Sequence, residues 1–161
     1  MKKENLIIGI DPGLHNAGWS VIKFDGLKYQ FIACGTITTN PKNEMQERLY
    51  KIATELKEVI NTYRPQVAAI EEVFVNKNNL SSLKLGHARG AIMVTLALEN
   101  IKSFEYSATK VKKSITGVGR AEKQQIDMMV KILIPKATPK TEHEADAIAI
   151  AIAHANNSSQ L

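Results

Sequence analysis

The 161-residue sequence has little that would fix the chain covalently or place it in a membrane. Its single cysteine, Cys34, excludes an internal disulfide and indicates a reducing compartment, and its place in the apolar run FIACGTI favours a core thiol over a nucleophile. No apolar run reaches the roughly 20 residues of a membrane span, and MKKEN leads into a strand without a signal-peptide core. We therefore expect a cytoplasmic protein with no membrane partner.

Proline is also scarce, with five residues, and the chain has no internal repeat, low-complexity tract or linker. A hydrophobic content of 44% is typical of a folded domain rather than a disordered segment. We expect one domain over residues 1–157 and a short flexible tail over 158–161. Lysine and arginine exceed aspartate and glutamate by 21 to 16, and the net charge of +5 favours a polyanionic partner, although simple solubility requires no more.

The hydrophobic pattern predicts an α/β fold that begins β-β-β-α-β-α-β and ends in helices. The predicted strands cover 6–11, 17–24, 29–37, 67–73 and 101–106. The predicted helices cover 43–63, 80–99, 107–113 and 122–133, and a last helix begins near residue 141. If the fourth strand lies parallel to the first, the result is a five-stranded mixed sheet flanked by helices on both faces.

Two acidic residues end buried strands. Asp11 follows the continuous apolar run LIIGI and precedes the turn Pro12-Gly13. A carboxylate in such surroundings either accepts hydrogen bonds from its turn or binds a cation, and by itself Asp11 favours the turn. In the second such strand, VAAIEEV, the continuous apolar run ends in Glu71 and Glu72, which face away from each other because alternate strand residues point to opposite sides.

The last helix begins with a capping pattern, in which Thr141 is the expected N-cap and Glu144 the third helical residue. We therefore interpret Glu144 as structural rather than catalytic. His143 and Asp146 are three residues apart and share one face of the first turns.

These acids and the histidine meet if the first and fourth strands are parallel, because open α/β sheets bind ligands at the carboxyl ends of their strands. Clustered carboxylates repel one another unless a divalent cation lies among them. An oxygen-rich site without clustered cysteine and histidine favours Mg²⁺ or Mn²⁺ over Zn²⁺. In this group of acids, we interpret Asp11 as a metal ligand rather than as an acceptor for its own turn.

Two glycines, Gly86 and Gly90, interrupt the predicted helix over 80–99 at a cost of about 1 kcal/mol each relative to alanine. They indicate the close approach of another backbone. That backbone belongs either to this chain's own sheet or to a second subunit.

The stretches LIIGIDPG, AIEEVF, SSLKLGHARG, VKKSITGVGRAEK and EHEADAIAIA together resemble the bacterial RuvC Holliday-junction resolvase family along essentially the whole chain. The resemblance implies an RNase H-like fold, a homodimer that works with a branch-migration helicase complex, and Mg²⁺-dependent symmetric cleavage of four-way DNA junctions in recombination and repair.

The resemblance also implies a metal site formed by Asp11, Glu71, His143 and Asp146, with Asp11 as the shared ligand. Two Mg²⁺ ions, or Mn²⁺ in their place, would bind both sides of one phosphate. Family members carry either Asp or His at the position of His143, so an inner-sphere ligand and a proton shuttle both stay open for it.

Basic residues surround the glycine-containing link at 117–120, where they either follow a DNA backbone or form a solvated face. The resemblance favours DNA contacts, for which Lys112 and Lys123 match best and to which we add Lys113 and Arg120. Phe74 either stacks on an unpaired base at the junction centre or caps the core, and the resemblance favours stacking.

Two other functions compete with this interpretation. An RNase H-like nuclease acting on RNA has the same chemistry, whereas a junction-binding protein without activity would lack Asp11 or Glu71. An actin-like ATPase lobe also opens with a strand and an Asp-x-Gly turn, but such folds need two lobes and 161 residues supply one.

Overall fold

The computed structural model describes residues 5–72 and 78–158, in which five strands form one mixed sheet. The strands are β1 (Asn5–Asp11), β2 (Asn16–Phe24), β3 (Tyr29–Thr38), β4 (Val67–Glu71) and β5 (Lys102–Tyr106). The helices are α1 (Met45–Tyr63), α2 (Asn79–Leu98), α3 (Ala108–Thr116), α4 (Lys123–Leu133) and α5 (Glu142–Ser158). This confirms the α/β class and the predicted order of elements.

The strand order is β3-β2-β1-β4-β5, with β2 antiparallel to both β1 and β3 and with β4 parallel to both β1 and β5. Ile10 of β1 lies opposite Ile70 of β4. The carboxyl ends of β1 and β4 are therefore neighbours at one edge of the sheet, as the sequence predicted.

Each face of the sheet carries its own core. Ile7 and Ala69 pack with residues of α3, α4 and α5, whereas Ile8, Ile10 and Ile70 pack under α1 and α2. This alternation explains why β1 and β4 read as continuous apolar runs, since both faces are covered.

Helix α5 lies directly on the backbone of β1 and β2. A Cβ atom placed on Gly9 would be 2.1 Å from the carbonyl oxygen of Ala147, and one on Gly18 would be 2.1 Å from that of His143. Only glycine allows so close an approach. Alanine and isoleucine fill the rest of the buried helix, so its first turns are fixed beside the end of β1.

Some boundaries differ from the predictions. Helix α3 continues to Thr116, three residues past the predicted end, and Ser107 is its N-cap, with a hydroxyl that accepts from the Lys110 N–H at 3.2 Å. Strand β4 ends at Glu71, two residues before the predicted end. The N–H of the next residue, Glu72, still donates to the carbonyl oxygen of Tyr106 on β5. No helix of the described residues is long and apolar enough to cross a membrane.

Gly86 and Gly90 differ from Gly9 and Gly18. A Cβ at either position of α2 would meet nothing within 4 Å in the described parts of the chain. Packing on this chain's own sheet therefore does not account for them.

Candidate active site

Asp11 and Glu71 end adjacent parallel strands and point to the same face of the sheet. Asp11 has the same strand parity as Ile7, and Glu71 has that of Ala69, and both Ile7 and Ala69 pack on the side of α5. Glu72 is exposed. The two acids thus face the first turns of α5 across the edge of the sheet.

The start of α5 is held by a buried carboxylate. The Thr141 hydroxyl accepts from the N–H of Glu144 at 3.2 Å, as the capping pattern predicted. The carboxylate of Glu144 accepts instead from the Lys140 N–H at 2.7 Å, from the Thr36 hydroxyl at 3.2 Å and from the Cys34 thiol at 3.4 Å. Glu144 therefore anchors the helix to β3, which is a structural role.

Cys34 is an inert thiol in this setting. Burial, together with the hydrogen bond to Glu144 and the negative charge of Glu144, raises its pKa to about 12. The nucleophilic form of cysteine is the thiolate, so the thiol has no catalytic use at neutral pH.

His143 contacts Asp11 directly, with 2.9 Å between its Nδ1 atom and Asp11 Oδ2. The Asp11 side chain is 14% exposed and that of His143 is 41% exposed. Burial raises the pKa of Asp11, the hydrogen bond from His143 lowers it, and the charge of Asp146 raises it again, with a net increase. Asp11 is thus a largely buried carboxylate whose position is fixed by the contact with His143.

Among Asp11, Glu71 and Asp146, Glu71 has the largest increase in pKa. Its pKa is raised to about 7, first by burial and then by the negative charges of Asp11 and Asp146, against the opposing charges of Lys112 and Arg89. Burial likewise raises the pKa of Asp146, against the opposing charge of Lys123. Glu71 is thus affected by the negative charges of both Asp11 and Asp146, and Asp11 by that of Asp146.

Glu71 and Asp146 line one cleft with two of the lysines predicted to bind DNA, Lys112 and Lys123. Its volume is about 300 Å³, and its apolar lining consists of Ala108, Val111, Ile126, Ala149 and Ile150. The Lys123 Nζ atom lies 3.7 Å from Asp146 Oδ1 and 3.2 Å from Glu142 Oε2. One cleft thus contains groups that attract cations and groups that attract phosphates.

Metal binding fits the chemistry of these donors. Within residues 5–72 and 78–158, no three His, Cys, Asp or Glu side chains lie close enough together to hold an ion. Asp11 instead contacts His143, and Asp146 contacts Lys123. Buried carboxylates whose mutual repulsion raises their pKa are nonetheless the oxygen donors that a hard divalent cation prefers. A bound cation would replace Lys123 as the counter-charge of Asp146.

The other predicted DNA-binding residues lie elsewhere. Lys113 and Arg120 are exposed, and neither lines the cleft. Lys113 instead borders a separate polar recess with Lys110. Phe74 falls outside the described residues.

Sequence reasoning missed Arg89 of α2. Its guanidinium donates to the backbone carbonyl oxygen of Glu71 and forms an ion pair with Glu105. The only signal was an arginine next to Gly90 in the motif HARG, which indicates no particular partner. Gly18 was missed for a similar reason, since a glycine in a strand does not say what approaches it.

Comparison with known proteins was consistent in sequence and in structure. The model of the family described as crossover junction endodeoxyribonuclease RuvC matches residues 7–154. The RuvC protein of Xanthobacter autotrophicus is 50% identical over 151 residues, which cover 94% of this chain and 89% of that protein. The RuvC protein of Agrobacterium fabrum is 47% identical over 157 residues, covering 98% and 92%. Thermus thermophilus RuvC in complex with a Holliday junction substrate superposes with a TM-score of 0.92 at 31% identity, covering 97% of this chain and 96% of that one.

The raised pKa of Glu71 predicts a pH-dependent stability of the metal-free protein. Because the pKa is about 7 when folded against 4.5 for an ordinary glutamate, ionisation destabilises the folded state as pH rises through this interval. Glu71→Gln should therefore raise the melting temperature relative to wild type more at pH 8 than at pH 5. We expect a difference of about 2–4 °C, the shift that roughly 1 kcal/mol produces in a domain of this size.

Thermal unfolding in EDTA, followed by circular dichroism, measures this difference. Glu72→Gln is the matched control, because the adjacent carboxyl is exposed and its removal should leave the pH dependence unchanged. If the difference in melting temperature between Glu71→Gln and wild type stayed constant from pH 5 to pH 8, the pKa of Glu71 would not be raised in the folded protein.

Proposed function

The chain belongs to the RuvC family of crossover junction endodeoxyribonucleases and is a Holliday-junction resolvase, and we propose that Asp11, Glu71 and Asp146 hold the divalent metal that its reaction requires. The observation that carries this assignment is the shared cleft. Glu71 and Asp146 line it together with Lys112 and Lys123, so metal ligands and phosphate contacts lie side by side. No observation favours an RNA substrate or an ATPase.

We propose Mg²⁺ as the physiological metal, with two ions per site and Mn²⁺ as a substitute. When bound, divalent cations activate the attacking water and stabilise the leaving oxygen of a phosphodiester. The support is the donor set, which consists of carboxylate oxygens with a single neighbouring imidazole.

His143 has two tasks in this proposal. With the proton on Nδ1, it donates to Asp11 Oδ2 and keeps that carboxylate in place. In the neutral imidazole with this tautomer, the Nε2 atom is unprotonated and can accept a proton from the attacking water. The half-exposed ring is accessible enough for this exchange.

Lys123 provides the positive charge beside Asp146. Burial lowers its pKa, but the charges of Asp146 and Glu142 raise it more, so the ammonium stays protonated. The Lys123 side chain is 46% exposed, so its ammonium contacts the phosphate backbone while it stays beside Asp146. Lys112, which lines the same cleft, contacts a second point of the same strand.

We propose that the enzyme is a homodimer joined through α2. The side chains of Leu83 and Val94 and the bare positions Gly86 and Gly90 follow one another at helical spacings of three and four residues. Leu83 and Val94 are exposed, and in the described chain nothing comes near the two glycines. A two-fold contact suits a substrate with two strands to cut.

The remaining expectations stand as proposals. We place the protein in the cytoplasm, in association with a branch-migration helicase complex. We propose a single domain over residues 1–157 with a short tail after it; Ser158 is the last residue of α5, and residues 159–161 lie outside the described part of the chain. We propose that Phe74 stacks on a base at the junction centre, while Lys113 and Arg120 contact the DNA arms outside the cleft.

The first test is cleavage of a synthetic four-way junction in Mg²⁺, beside linear duplex and RNA–DNA hybrid. Wild type should nick the junction alone, at symmetric positions on two strands. Asp11→Asn and Glu71→Gln should each lower the single-turnover rate by more than about 100-fold, because even the loss of a residue that only supports a metal ligand costs about 10–100-fold.

Glu72→Gln should cleave at the wild-type rate, since its carboxyl is exposed and faces away from Glu71. Equal cleavage of the hybrid would favour the RNA substrate instead. An active Asp11→Asn protein would remove Asp11 from the metal site.

The second test concerns the cleft lysines. Lys112→Gln and Lys123→Gln should each weaken junction binding for any sequence and reduce the slope of log affinity against log salt by about 0.9, the contribution of one phosphate contact. Filter binding in EDTA between about 50 and 200 mM salt measures this slope. Lys51→Gln on α1, where the lysine pairs with Glu55, should keep the wild-type slope. A wild-type slope in both cleft variants would assign phosphate contacts to other residues.

The third test concerns the dimer. Sedimentation velocity of the wild-type protein at low micromolar concentration should show a dimer, and Val94→Glu should convert it to a monomer because a charge would be buried at the contact. Met128→Glu is the matched control, since Met128 is 62% exposed on α4 and Val94 is 59% exposed on α2. A monomeric wild type, or a dimer that survives Val94→Glu, would rule out this surface.

A further inference from the structure

Arg89 joins three elements at the back of the catalytic cleft. It extends from α2, and its Nη1 atom donates to the backbone carbonyl oxygen of Glu71 at the end of β4. Its Nη2 atom lies 3.1 Å from Glu105 Oε1 on β5. The Arg89 side chain is only 13% exposed, whereas that of Glu105 is 38% exposed, so the guanidinium is buried and its ion pair lies at the surface.

The Glu71 carbonyl needs such a partner because of its position. Glu71 is the last residue of β4, and the next N–H, that of Glu72, donates to the carbonyl oxygen of Tyr106 on β5. The guanidinium of Arg89 adds a second contact to the backbone at this end of the strand, at the carbonyl oxygen of Glu71. The planar guanidinium supplies two donors in a fixed fork, which a lysine ammonium does not.

We propose that Arg89 is a positioning residue for metal binding, which fixes the end of β4 against β5 and thereby holds the Glu71 carboxylate in the cleft. This inference rests on the metal site proposed above. Its consequence is that the affinity for metal depends on a residue that lines no part of the cleft and contacts neither metal nor DNA.

Electrostatics acts in the same direction. The repulsion of Asp11 and Asp146 opposes ionisation of Glu71, and the positive charge of Arg89 offsets part of it. Glu105 in turn keeps the guanidinium in place. Arg89 therefore supports Glu71 both through its backbone and through its charge.

The test is Mn²⁺ binding to the full-length protein without DNA, followed by electron paramagnetic resonance of free Mn²⁺. Arg89→Gln should weaken Mn²⁺ binding by about 10–100-fold, the range for residues that orient metal ligands. Arg89→Lys should recover only part of the affinity, because one ammonium cannot serve both Glu71 and Glu105. Lys84→Gln is the matched control, since it removes an exposed positive charge from the same helix and should bind as wild type does.

A cleavage assay separates positioning from a loss of folding. Single-turnover rates of Arg89→Gln against Mg²⁺ concentration should show half-saturation shifted upward by a similar factor, with a maximal rate near wild type. Circular dichroism should show the variant folded at the assay temperature.

The outcomes are distinct. If wild type binds Mn²⁺ and Arg89→Gln binds it equally well, Arg89 has no positioning role, although the metal site stands. If Arg89→Lys fully restores the affinity, charge alone acts and the bridging contact is wrong. If wild type binds no Mn²⁺ at all, the metal site itself fails, and this inference fails with it.

Discussion

The close contact between α5 and the bare backbone of β1 and β2 determines the rest of the site. At Gly9 and Gly18 a single additional carbon would lie 2.1 Å from a helix carbonyl oxygen. Because backbone meets backbone there, the first turns of α5 lie directly beside the end of β1. His143 then lies beside Asp11, and Asp146 faces the cleft that Glu71 lines.

Much of this arrangement could be predicted from the sequence. Continuous apolar runs bounded by turn residues identified β1 and β4, since strands covered on both faces leave that pattern. The capping pattern at Thr141 located the start of α5 and, with it, the relation between His143 and Asp146. These predictions succeeded because they depend on local periodicity and on the directions that a strand or helix imposes on its side chains.

The contacts that depend on tertiary structure could not be predicted. The sequence singled out Gly86 and Gly90, because glycine is costly in a helix. It gave no such signal for Gly9 and Gly18, which lie in strands and allow the close approach of α5. A single arginine such as Arg89 has no local pattern that names its partners. The pairing of Asp146 with Lys123 likewise joins residues of two helices, and only the packing of α4 on α5 brings them together.

The anchoring of Glu144 to Cys34 has a practical consequence for labelling. Because the pKa of the thiol is about 12, it is almost entirely protonated at neutral pH, and maleimides and mild oxidants react with the thiolate. We therefore expect Cys34, the one native cysteine, to react slowly with such reagents. A cysteine introduced at an exposed position, such as Leu27 in the β2–β3 turn, would provide a single attachment point for a fluorophore, with the native thiol and its contact to α5 left intact.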